Sequence, residues 1–148
     1  MARTSKLLVA LALISGGLSA AGAASAQCML ANPSFEIAGS GGSVFGGWNQ
    51  FGSVGSSTSA AHGVVAAKVS GPNTGGWDVS AYWQQQDAFP GERWAASVWV
   101  SHPSSRPLTG GSTAIVNIEW RNSGGGLISY ESHTAADAST PQNEIRQF

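Results

Sequence analysis

The sequence predicts an all-β protein built as a β-sandwich. Two observations carry this expectation. Short runs with period-two alternation recur after residue 27, separated by clusters of Gly, Ser, Asn and Pro. Over the same region no long stretch keeps apolar residues at helical spacing. The 148 residues include 20 glycines and 6 tryptophans but only 10% charged residues. Such a chain is rich in turns and presents a polar, uncharged surface.

The first residues read as a secretory leader. Arg3 and Lys6 give a basic start, Leu7 to Leu18 is a short and mostly apolar run, and Ala24-Ser25-Ala26 is an A-x-A cleavage signal. Gln27 is then the expected mature amino terminus. The apolar run is too short to span a bilayer comfortably, so no membrane insertion is expected after cleavage. Residues 1–26 are thus expected to be a signal peptide and 27–148 a single domain, secreted to the extracellular space or the periplasm. Of seven basic residues five lie beyond the leader, against eight acidic ones, a formal charge of −3. No basic patch exists to attract nucleic acid or an anionic membrane.

The strands are expected in order. Gly63 to Ser70 is the first clear candidate. Ala81 to Ala88 follows, bounded by Pro90-Gly91. Arg93 to His102 alternates, with Trp94, Ala96, Val98 and Val100 on one face and Trp99 on the other. Ser112 to Arg121 repeats the pattern: Ala114, Val116, Ile118 and Trp120 face one way, Asn117 and Glu119 the other. Leu127 to Ser132 should pair with it across the Asn122–Gly126 turn. Glu144 to Phe148 is weakly strand-like. Ala38–Gly47, Gly52–Ala61, Gly71–Gly76 and Ser101–Gly111 read as loops. The pattern stops partway into a strand, so the sandwich is expected to lack its final strand or strands.

The side chains suit recognition of a neutral sugar. Aromatic faces stack on the C–H faces of pyranose rings. Trp77 is the best platform, since it sits beside Asp78 in a Gly-rich loop and has no evident core role. Packing of Trp77 over the sandwich edge is the alternative. Trp99, flanked by small residues on its face, could shape a shallow groove or pack against a second sheet. Trp94, Trp120 and Trp48 read as packing residues. Gln84, Gln86, Asn117, Glu119 and Arg121 offer amides, a carboxylate and a guanidinium for hydroxyl groups on one concave face.

Catalytic signatures are sparse. Glu119 and Glu131 lie on neighbouring predicted strands, the one carboxylate pair a glycoside hydrolase could use. No H-E-x-x-H spacing, G-x-S-x-G elbow or phosphate loop occurs. The chain therefore reads as a non-catalytic binder that requires no cofactor. The alternatives are a surface or matrix adhesion domain without a sugar ligand and, behind that, a fragment of a glycoside hydrolase. Cys28 is the single cysteine, so no intrachain disulfide can form; it is a buried thiol or pairs with another chain.

Leu30-Ala31-Asn32-Pro33-Ser34-Phe35-Glu36, Gly47-Trp48, His62-Gly63 through Val69, Trp77-Asp78, Gln84 to Gln86, Pro90-Gly91-Glu92-Arg93-Trp94 and Val98-Trp99-Val100 follow one another in an order that resembles the CenC-type carbohydrate-binding modules (the family 4, 9, 16 and 22 relatives). The resemblance covers roughly residues 29–148, and its specificity lies in order and spacing. It implies a galactose-binding-like jelly roll and a polysaccharide or other glycan as partner, with an aromatic at Trp77 stacking on the sugar. It also implies a structural Ca²⁺ near Glu36, whose further acidic ligands would come from a closing strand that this chain does not contain. A thiol partner for Cys28 could lie in that same missing part.

Overall fold

The computed structural model describes residues 3–8, 28–71 and 79–148, the first of these segments by its backbone. Among the described residues the fold is all-β. Its strands are β1 (Arg3–Leu8), β2 (Asn49–Phe51), β3 (Ser53–Ser57), β4 (Ala66–Ser70), β5 (Ala81–Ala88), β6 (Trp99–Val100), β7 (Ala114–Arg121), β8 (Leu127–Ala136) and β9 (Arg146–Gln147). A five-stranded sheet has the order β2-β5-β1-β7-β8, and two further ladders pair β3 with β4 and β6 with β9. Every pairing is antiparallel.

Period-two alternation decides which side of the large sheet is covered. On β5, Tyr82, Gln84 and Ala88 are buried while Gln85 and Asp87 between them are exposed. On β7, Val116 is buried and Ile118 packs against the core. The register joins these sets: Leu7 lies opposite both Gln84 and Ile118, and Ser5 opposite both Gln86 and Trp120. The inner face therefore carries Tyr82, Gln84, Gln86, Val116, Ile118 and Trp120.

The core on that face is aromatic. Phe35 stacks on Trp48 with ring centroids 4.6 Å apart and meets Phe45 edge-on at 5.0 Å. Tyr82 lies 5.8 Å from Phe35 and 5.5 Å from Phe45. Val98 and Val116 complete the buried cluster, with Val54, Val65 and Ala67 packed against it from β3, β4 and the segment before β4. Burying each such side chain contributes roughly 1.5–3 kcal/mol.

The opening motif serves this core. Asn32 adopts φ +48°, a left-handed conformation that Asn tolerates better than most residues. Its side-chain oxygen accepts from the Ile37 N–H, and its amide donates to the carbonyls of Ile37 and Gly46. The Asn32 carbonyl accepts the Trp48 indole N–H at 2.9 Å. The motif is thereby folded into a knot that drives Phe35 inward.

Several elements depart from the sequence expectation. Arg93–His102 was expected to be one strand, but only Trp99–Val100 forms a ladder. Val98 exchanges backbone hydrogen bonds with Phe148, and Ala96 packs on the core without a strand neighbour. Burial of alternate side chains is thus met by a segment that lacks a partner for most of its length. Ser53–Ser57 was expected to be loop and is a strand, because pairing with β4 supplies the order that its Ser/Gly-rich sequence does not signal. Gly63–Ser70 begins later, at Ala66, since Glu36 takes the Val64 and Val65 N–H groups. The β7–β8 hairpin turns across Asn122–Gly126 as expected, closed by Asn122 N–H to Gly126 O and by Gly126 N–H to the Asn122 side chain. Arg3–Leu8, expected within a leader, pairs between β5 and β7.

Candidate functional site: the outer face of the five-stranded sheet

The outer face holds a polar ladder along β7. Asn117, Glu119 and Arg121 alternate with the inward Val116, Ile118 and Trp120. The Asn117 amide donates to Glu119 Oε1 at 3.1 Å. Arg121 Nε and Nη2 both donate to Glu119 Oε2, at 2.8 and 2.5 Å, and Nη1 donates to the Gly125 carbonyl at 2.9 Å. The turn thus fixes the guanidinium, the guanidinium fixes the carboxylate, and the carboxylate fixes the amide. The ion pair is about three-quarters buried, with side chains 27% and 25% exposed. Asn117 Oδ1 is buried and has no hydrogen-bond partner among the described residues. An orphaned buried acceptor is costly.

Aromatic surface flanks the ladder. Tyr130 on β8 stands directly opposite Glu119, so both side chains share the outer face, and Tyr130 is 63% exposed. On β5, Trp83, Gln85 and Asp87 lie on the same face, since Lys6 is opposite both Gln85 and Glu119 and Thr4 is opposite both Asp87 and Arg121. Neither Tyr130 nor Trp83 stands out in the sequence. Counting back from the Asn122–Gly126 turn would have put Ser129 opposite Glu119; a register shift between Trp120 and Arg121 brings Tyr130 there instead.

The site residues expected from the sequence are not all gathered here. Gln86 lies on the inner face, where its amide donates to Gln84 Oε1 at 3.4 Å. Gln84 clamps the backbone of Ala31, donating at 2.6 Å and accepting at 3.0 Å. The idea of one concave face shared by Gln84, Gln86, Asn117, Glu119 and Arg121 is corrected: strand alternation sends the glutamines inward. Trp99 lies in the β6–β9 ladder, in a cavity of about 70 Å³ lined by Phe35, His62, Val65 and Ala67. It meets His62 edge-on at 5.5 Å, and its indole N–H is buried without a partner among the described residues. Trp77 and Asp78 lie outside the described residues.

The carboxylate pair considered for hydrolysis is also corrected. Glu131 is opposite Ile118, so it points to the side of the sheet away from Glu119. Two carboxylates on opposite faces cannot flank one glycosidic bond.

Glu36 is engaged as a structural acceptor. Its Oε1 receives the N–H groups of Val64 and Val65 at 3.0 and 3.1 Å. Calcium takes about six to eight oxygen ligands, and among the described residues no cluster of three or more His, Cys, Asp or Glu side chains exists. Cys28 is exposed and unpaired, open to a thiol on another chain.

No protein-family model matches the chain, and neither a curated protein nor a solved structure matches it.

Proposed function

We propose that this chain is an exported, non-catalytic domain that binds a neutral polysaccharide, as CenC-type modules do, across the outer face of its β7–β8 hairpin. A jelly-roll sandwich is the architecture that goes with this reading. The observation that carries it is the hydrogen-bonded Asn117–Glu119–Arg121 ladder, part-exposed at Glu119 and Arg121, beside the exposed Tyr130 ring. A pyranose needs such a pairing: a flat aromatic surface for its C–H face and fixed polar atoms for its hydroxyls. Trp77 and Asp78 would add a loop contact at the edge. Affinity electrophoresis through a panel of soluble neutral glycans tests the proposal. One glycan should retard the wild type, and Tyr130→Ala and Asn117→Ala should each abolish most of that retardation while melting like the wild type. Retardation that survives both substitutions but is lost in Trp77→Ala would move the site to the loop. Unchanged mobility on every glycan would refute sugar binding.

One observation favours a surface or matrix adhesion role instead. β8 is an edge strand on which Leu127, Ile128 and Tyr130 are all about half exposed or more. An exposed apolar edge is a ready surface for another protein. Self-association lost on Ile128→Lys, without any glycan retardation, would select that reading.

A further inference from the structure

We propose that the slot between β5 and β7 is a strand-acceptor site, and that Arg3–Leu8 is an exchangeable occupant of it. The occupant that the slot fits is an extended peptide of about six residues running antiparallel to both walls. Arg3–Leu8 pairs with β5 from Arg3↔Ala88 to Leu7↔Gln84, and with β7 from Thr4↔Arg121 to Leu8↔Asn117. β5 and β7 are both antiparallel to it, so they run parallel to each other, separated by two strand spacings, about 9–10 Å. Without a strand between them, two facing rows of backbone N–H and C=O groups lose their partners. Closing the gap would require the walls to shift by a full strand spacing and to pair in parallel. Accepting an antiparallel strand requires no movement of either wall.

The present occupant is poorly suited to a central position. Arg-Thr-Ser-Lys-Leu-Leu has one β-branched residue and no aromatic, whereas its neighbour Ala-Ile-Val-Asn-Ile-Glu-Trp-Arg carries three β-branched residues and a Trp. Main-chain pairing on both edges holds it. The same residues carry the leader pattern. A segment cannot be both removed and retained as a central strand, so processing would open the slot to an incoming strand. The walls define what that strand must be. Alternate residues meet the rows Gln84–Ile118 and Gln86–Trp120 and should be small or apolar. The residues between them meet Gln85–Glu119 and Asp87–Arg121 and should be polar or basic.

The test uses the full chain in a Cys28→Ser background. Lys6→Cys with Gln85→Cys should form a disulfide under mild oxidation, since directly opposed residues lie within bridging distance. Lys6→Cys with Ser132→Cys, whose partner sits beyond β7, should not. A disulfide-linked dimer of the first pair would support the acceptor by showing it filled from a second copy. A protease site is then introduced within residues 9–27 and cut, and a fluorescent peptide of residues 3–8 is titrated in. Uptake should follow cutting, and a peptide with Ser5→Pro, which lacks one ladder N–H, should bind at least tenfold more weakly. Equal cross-linking of the two cysteine pairs, or a cut chain that takes up neither peptide, would overturn the proposal.

Discussion

Gln84 and Ala31, fifty-three residues apart, are joined by two hydrogen bonds: the Ala31 N–H donates to Gln84 Oε1 at 3.0 Å, and Gln84 Nε2 donates to the Ala31 carbonyl at 2.6 Å. The glutamine amide acts as a substitute peptide group, pairing a strandless backbone segment as a neighbouring strand would. Gln84 is only 3% exposed, so its amide would otherwise be buried and unpaired. Gln84→Ala is expected to lower unfolding free energy by about 1–3 kcal/mol, read by urea denaturation. Gln84→Glu should also destabilise, since a carboxylate cannot donate to the Ala31 carbonyl.

Phe35 and Trp48 form the centre of the core, and the indole N–H reaches the Asn32 carbonyl. Trp48→Ala should cost about 3–5 kcal/mol. Trp48→Phe keeps the stacking but loses the donor, and should cost about 1–3 kcal/mol. Urea denaturation of the two variants reads both costs, and the difference between them is the share of packing beyond the hydrogen bond.

Glu36 anchors the turn before β4. Gly63 has φ +72°, and a Cβ there would collide with Glu36 Oε1. Gly63→Ala is therefore expected to destabilise by about 1–3 kcal/mol. Glu36→Gln, which keeps an acceptor oxygen, should cost less than Glu36→Ala. Neither difference should depend on calcium. A calcium-induced rise in melting temperature for the wild type, absent in Glu36→Ala, would contradict this structural role.

Tyr82 sets a limit at alkaline pH. Burial pushes its phenol from 10.0 up to about 12, and its O–H donates to the Gly55 carbonyl at 2.8 Å. Between those values the unfolded chain releases the proton and the folded chain keeps it, so this contribution is intact below about pH 10 and falls as pH rises toward 12. Denaturation midpoints of the wild type should drop more steeply across that window than those of Tyr82→Phe. Parallel curves would contradict the burial argument.

The sequence was most informative where alternation and turn chemistry agree. Ala81–Ala88 matches β5 at both ends, and the outward set Asn117, Glu119 and Arg121 lies on one face as period two requires. It was uninformative where a partner imposes the strand, as at Ser53–Ser57, and where a side chain replaces a strand, as at Gln84. Gln86 shows the limit most plainly. Alternation within β5 groups it with Gln84 and Tyr82, but only the register through β1 shows that this set faces the same way as Ile118 and not Asn117.

By itself the amino-acid order determined that the chain is all-β, where its clearest strands and its tight hairpin lie, and which residues on each strand share a side. These follow from local physics: pleating alternates side chains, and glycines and asparagines allow turns. Only the tertiary structure decided which side is covered, that Glu119 and Glu131 are separated by the sheet, that Tyr130 stands beside Glu119, and that Arg3–Leu8 lies between β5 and β7. Strand order and register come from pairing residues far apart in sequence, and no local pattern encodes them.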